Sequence, residues 1–152
     1  MMPSWDEGAA RSLMEPWSAD EGGLLPALHA LQEAYGYIDD RAVPLLADVF
    51  NLSRAEVTGV VSFYHDFRRE PPGRHVVKVC RAEACQAMGC ERLVAELEAR
   101  LGTPVDGTSP DGAVTLETVY CLGNCALSPA ALVDGKLHGR VDAESLCEGL
   151  GR

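Results

Sequence analysis

The tripeptide Pro71-Pro72-Gly73 separates two stretches whose apolar residues recur with different periods. Before it, Leu24, Leu28 and Leu31 with Ala27, Ala34 and Tyr35 follow helical spacing, and Gly36 stands where a left-handed cap ends a helix. A second helix is expected from Asp40 to about Phe50–Asn51, with Pro44 tolerated in its first turn. Ser53 and Glu56 form a capping box ahead of Val57, Val60 and Val61, which marks a third. Upstream, the acidic stretch 1–22 reads as an N-terminal tail with a weak helix over Glu7–Met14, and Trp5 and Trp17 as anchors onto a neighbour.

After the break the pattern becomes mixed. His75–Val79 is a β-branched run and reads as a strand, and residues 84–101 read as one helix closed by Gly102 and Pro104. Ala113–Val119 reads as a second strand. Ala131–Val133 and Lys136–His138 flank Asp134-Gly135, a two-residue hairpin turn. Asp142 caps a last helix, with Val141 and Leu146 placed as a hydrophobic staple. The expected architecture is α/β: a helical docking domain over 23–72, then a small domain over 73–152 ordered βαβ-ββα, for which a thioredoxin-like arrangement is the simplest solution.

Composition narrows the function. The 152 residues are 47% hydrophobic and 24% charged, with a formal net charge of −10. The acidic excess is spread along the chain, −6 over residues 1–74 and −4 over 75–152, so no basic face suits nucleic acid or an anionic membrane. The N-terminus lacks a secretory signal, and no apolar run reaches the roughly 18–20 residues of a membrane helix. The chain is therefore expected in the cytoplasm, where cysteines more often bind metal or do redox chemistry than form structural disulfides.

There are six cysteines: Cys80, Cys85, Cys90, Cys121, Cys125 and Cys147. On a continuous helix, Cys90 shares the stripe of Leu93, Val94, Leu97 and Leu101, and Cys85 lies about 140° away. Cys147 lines up with Ala143, Leu146 and Leu150, so Cys90 and Cys147 are assigned to packing. The remaining four form the pairs Cys80-x4-Cys85 and Cys121-x3-Cys125, each following a predicted strand. If those strands are parallel neighbours, both loops emerge at one edge of the sheet and the pairs face one another. A [2Fe–2S] cluster asks for two thiolates on each of two irons. Gly123 would let the second loop bring backbone N–H groups close to sulfur, and Arg81 and the start of the long helix would add positive charge. Structural zinc is a rival, although its sites usually include a two-residue gap. A disulfide oxidoreductase needs Cys-x-x-Cys, which is absent, and a Rieske centre needs histidines, of which none lies within four residues of Cys85, Cys121 or Cys125. His29, His65, His75 and His138 are scattered and form no catalytic constellation.

At these residues the chain resembles the thioredoxin-like [2Fe–2S] subunits of respiratory complex I and of soluble NAD-linked formate dehydrogenases and hydrogenases. The resemblance runs from about Leu24 to Leu146 and rests on Cys-Arg-Ala-Glu-Ala-Cys-Gln-Ala-Met-Gly at 80–89 and Val-Thr-Leu-Glu-Thr-Val-Tyr-Cys-Leu-Gly-Asn-Cys at 114–125. Val-Ser-Phe-Tyr-His-Asp-Phe at 61–67 is similar to the family's helical region. The resemblance implies that Cys80 and Cys85 bind one iron and Cys121 and Cys125 the other. Segments 80–89 and 61–67 look most like the gamma subunit of NAD-dependent molybdenum formate dehydrogenases. That likeness implies a non-catalytic electron-transfer subunit. Its partners would be a flavin/NAD-binding subunit with FMN and NAD and a large catalytic subunit with the molybdenum cofactor. Ser128-Pro129 stands where complex I relatives usually show Ala-Pro. The equivalent subunit of complex I or of a bidirectional hydrogenase is the alternative, as is a free-standing ferredoxin.

Overall fold

A computed structural model describes residues 3–151. The chain divides into two compact units between Pro71 and Pro72.

The first unit is helical: α1 (Glu7–Met14), a 3-10 turn (Glu15–Trp17), α2 (Leu24–Tyr35), α3 (Ala42–Phe50) and α4 (Arg54–Phe63). Its core gathers Met14, Leu28, Leu31, Ile38, Leu46, Val57 and Val61. The stretch expected as a tail is part of this core. Ala10 and Met14, one turn apart, are fully buried, and the Asp6 carboxylate caps α1 by accepting from the Ala9 N–H at 2.7 Å. Trp5 is likewise an internal anchor. Its ring lies 5.3 Å from that of Tyr35, and the Arg41 guanidinium sits 5.4 Å from its centroid. The second helix begins at Ala42 rather than Asp40, because the buried Asp39 carboxylate accepts from the Arg41 N–H at 2.9 Å and holds the turn ahead of it. Ser53 and Glu56 form the expected capping box, with the Glu56 N–H donating to Ser53 Oγ and the Ser53 N–H to Glu56 Oε2.

The second unit comprises β1 (His75–Cys80), α5 (Glu83–Ala87), α6 (Cys90–Leu101), β2 (Gly107–Thr108), β3 (Val114–Val119), a 3-10 turn (Cys125–Leu127), β4 (Ala130–Val133), β5 (Lys136–Gly139) and α7 (Ala143–Gly149). The five strands are ordered β2-β3-β1-β4-β5. β1 and β3 are parallel, and every other pairing is antiparallel. This is the expected α/β order, with one short edge strand added. Val77, Val79, Val114 and Leu116 from the sheet meet Leu93, Leu97 and Leu101 of α6 and Leu146 of α7 in one core. The β4–β5 turn carries Asp134 at φ 50° and Gly135 at φ 79°, as a two-residue turn of the primed kind requires.

One expected element differs. The helix expected over 84–101 is two helices, broken at Met88–Gly89, where Gly89 has φ 87°. Cys85 and Cys90 therefore do not share one helical wheel, and the 140° separation expected between them does not apply. Cys90 opens the buried face of α6 that continues through Leu93, Val94, Leu97 and Leu101, as expected, and at that end it packs with Cys80, Cys85 and Ala130. Cys147 is buried with Val141, Ala143 and Leu146, as expected.

Candidate metal centre

Parallel pairing of β1 and β3 sets the site. Cys80, the last residue of β1, is in register with Val119, the last residue of β3. Both chain segments turn out of the sheet at that edge. The first enters α5, which carries Cys85, and the second reaches Cys121 and then Cys125 at the head of a 3-10 turn. Arg81 continues the ladder by donating its N–H to the Val119 carbonyl at 2.9 Å, which holds the two exits side by side.

The four sulfurs differ in exposure. Cys80 and Cys85 are buried at 3% and 2%, whereas Cys121 and Cys125 are exposed. Ala82, Val119 and Leu122 pack around the buried pair. Cys121 and Cys125 hold their sulfurs 3.8 Å apart. Two thiolates on one tetrahedral ion at metal–sulfur bonds of about 2.3 Å are separated by about 3.8 Å, so this pair is already spaced to share an ion. Cys121 adopts φ 67° and Gly123 φ 75°, and together they curl the loop. A Cβ at Gly123 would meet nothing within 4 Å, so the glycine serves the left-handed backbone there and not a close approach. Among the described residues, no three His, Cys, Asp or Glu side chains gather as a single ion would need.

Electrostatics link the two loops. Burial pushes the Cys80 thiol up, but the Ala82 N–H, the Cys85 thiol and the N–H groups of Cys121 and Leu122 outweigh it and leave Cys80 below the ordinary cysteine range. Cys125 moves the other way: its hydrogen bond with Cys121 and the charge on Cys121 raise it, and burial and the charges on Cys85 and Cys80 add to this. The negative charge that the other cysteines place at Cys125 is of the kind a bound cation offsets.

Three neighbours bear on the site. Arg81 is committed to Glu91 through two bonds, Nε to Oε1 at 2.9 Å and Nη2 to Oε2 at 2.6 Å, so its charge is offset instead of being held for an anionic centre. Cys90 is fully buried, and its thiol is raised first by burial, then by the charges on Glu91 and Cys85. Ser128 lies between the loops, with Oγ 3.6 Å from Cys85 Sγ and 2.7 Å from the Cys125 carbonyl. A serine three residues after a cysteine, able to bond back to its carbonyl, is the local pattern that points to such a contact.

Residues 10–151 match the family described as thioredoxin-like [2Fe-2S] ferredoxin. The chain is 36% identical over 135 residues to a NADH-quinone oxidoreductase subunit of Pseudomonas aeruginosa, covering 89% of this chain and 81% of that protein. It is 35% identical over 121 residues to the HndA subunit of the NADP-reducing hydrogenase of Solidesulfovibrio fructosivorans, covering 80% of this chain and 71% of that one. Among solved structures it is similar to a chain of an NAD+-reducing [NiFe]-hydrogenase in the air-oxidized state, with a TM-score of 0.73 and 27% identity. That match covers 93% of this chain and 24% of the hydrogenase chain, so this chain spans about a quarter of that relative. A family match that extends over residues 10–151 shows that the chain belongs to the thioredoxin-like [2Fe-2S] ferredoxin family.

Proposed function

We propose that this chain is an electron-transfer subunit, without catalysis of its own, that holds one [2Fe–2S] cluster on Cys80, Cys85, Cys121 and Cys125. The observation that carries the reading is the placing of two cysteine pairs at one sheet edge: Cys80 ends β1 opposite Val119, two residues before Cys121 on the exit from parallel β3, and Ser128 Oγ lies 3.6 Å from Cys85 Sγ and donates to the Cys125 carbonyl at 2.7 Å. Two pairs suit two irons better than one zinc, which needs its ligands around a single point.

The residues present fit that group. Cys80 is oriented by the N–H groups of Ala82, Cys121 and Leu122, which favour its thiolate form. Val119, Leu122 and Ala130 keep water from the buried pair. Cys121 and Cys125 place the opposite edge at the surface, where a redox partner can approach. Bound there, the cluster supplies one-electron transfer. Such a carrier suits a neighbouring flavin, whose two-electron chemistry with NAD needs acceptors that take one electron at a time.

The parent assembly we propose is an NAD(P)-linked oxidoreductase of the complex I or hydrogenase kind, because the relatives carry those names. Membership of a formate dehydrogenase rests on the likeness of segments 80–89 and 61–67 alone. A molybdenum cofactor in a large catalytic subunit belongs only to that reading. The partner common to both is the flavin/NAD-binding subunit. The helical first unit serves docking in this account, and it presents Phe63 at 72% and Tyr64 at 42% exposure on and just beyond α4. Among the described residues no helix is long and apolar enough to cross a membrane.

Co-expression with candidate flavin-binding subunits tests the assignment. A stable complex on size exclusion, with electrons passing from NADH or NADPH to this chain, is the expected result. A chain that stays monomeric with each candidate and passes electrons among unrelated enzymes is a free ferredoxin and contradicts it.

A further inference from the structure

Ser128 is 6% exposed and joins the two cysteine loops. In the structure the Cys85 thiol donates to Ser128 Oγ across 3.6 Å, and the Ser128 hydroxyl donates to the Cys125 carbonyl at 2.7 Å. A hydroxyl has one proton and two lone pairs. A cysteine that ligates metal has lost its proton and only accepts. The contact between Cys85 and Ser128 then persists only if the hydroxyl turns its proton from the Cys125 carbonyl to the sulfur.

We propose that Ser128 is a positioning residue that donates a hydrogen bond to the Cys85 sulfur when that sulfur is ligated, and thereby raises the reduction potential of the site. This rests on the ligand set proposed above. Reduction by one electron increases negative charge on the ligating sulfurs, so a donor aimed at one of them stabilises the reduced form more than the oxidised form. The effect is amplified because Cys85 is itself buried, where little water screens the interaction. The donor at Cys85 is a side chain, so this position can be tuned by sequence.

The test compares the full chain with Ser128→Ala, both purified anaerobically. Iron and sulfide content are measured first, then the midpoint potential by EPR-monitored redox titration, then the iron–thiolate Raman bands in H2O and D2O. The expected result is unchanged cluster content and a midpoint shifted to more negative potential. At the wild-type midpoint, the ratio of reduced to oxidised cluster should fall about three- to tenfold, a tenfold change being about 59 mV for one electron. The Raman shift between H2O and D2O should shrink in Ser128→Ala, since the exchangeable hydroxyl proton donated to a ligating sulfur has been removed. An unchanged midpoint, an unchanged isotope shift, or loss of iron from the variant would overturn the proposal and leave Ser128 a structural residue. A wild-type chain with no reducible two-iron signal overturns the ligand assignment itself, and this inference with it.

Discussion

Cys80 and Val119 stand opposite each other as the last residues of parallel β1 and β3, which brings Cys121, two residues past Val119, to the same edge as Cys80. Register at one rung of a sheet therefore decides which cysteines meet. Cys80→Ser, Cys85→Ser and Cys121→Ser should each lose most of the bound iron. Cys147→Ala should keep it, because Cys147 is buried among Val141, Ala143 and Leu146 in the second unit's main core. Cys90→Ala should keep it as well, although Cys90 packs against the ligands, at a cost of about 1 kcal/mol in stability for the small void. Iron analysis and thermal unfolding of the five variants check this.

Gly139 is predicted to be intolerant of any side chain. A Cβ there would lie 2.6 Å from the Leu127 Cβ, 2.8 Å from the Asn124 amide nitrogen and 3.0 Å from the Leu127 carbonyl. The turn that would have to move begins at Cys125. Gly139→Ala should destabilise the second unit by about 1–3 kcal/mol, as overpacking does, and should reduce iron content although the substitution is remote from Cys80 and Cys85. Full iron content at wild-type stability would show that β5 does not brace this loop.

The first unit has its own acid-sensitive contact. The Arg41 guanidinium, donating to both Asp39 carboxylate oxygens, holds that buried carboxyl well below the usual range; burial opposes this, and the Arg41 N–H and the Tyr37 hydroxyl add to the lowering. A carboxyl whose folded pKa lies beneath its unfolded value of about 3.9 stabilises the fold fully above that value. The contribution is lost as pH falls towards the folded pKa. Asp39→Asn should cost about 1–2 kcal/mol in urea unfolding at pH 7, since the partner Arg41 is largely exposed. The difference from wild type should narrow by pH 3.

Packing of α6 on the sheet is predicted to dominate stability of the second unit. Leu97 is fully buried, so Leu97→Ala should cost about 2–5 kcal/mol. Leu137 on β5 is 50% exposed, and Leu137→Ala should change stability by less than about 0.5 kcal/mol. Denaturant midpoints of the two variants give the comparison.

Features written in adjacent residues were legible from sequence. Ser53 with Glu56, Asp134-Gly135, and Asp142 with its Val141–Leu146 staple depend on neighbours along the chain, and each forms. That Cys80 and Cys121 each follow a β-branched run was also readable, whereas the parallel adjacency of those strands entered only as a condition, which the β1–β3 register meets. What escaped depends on distant partners. β2 is two residues long and pairs antiparallel with β3, where the Thr108 and Thr115 hydroxyls also meet at 2.7 Å, with no apolar alternation to announce it. The break at Gly89 lies inside an otherwise helical stretch, where one glycine is often tolerated. That break brings Glu91 to Arg81 and Cys90 to the cysteine cluster, which a continuous helix would not have indicated. Ser128 was visible as an unusual residue, but its hydroxyl gains meaning only when Cys85 and Cys125 are seen on either side of it.

The central claim is that these four cysteines hold two irons. Iron and acid-labile sulfide analysis of anaerobically purified protein, with EPR after dithionite reduction, tests it most directly. The account predicts about two irons and two sulfides per chain and a rhombic S = 1/2 signal that disappears in Cys80→Ser and Cys121→Ser and persists in Cys147→Ala. Zinc in place of iron, with no reducible signal, would contradict it and leave a structural metal module.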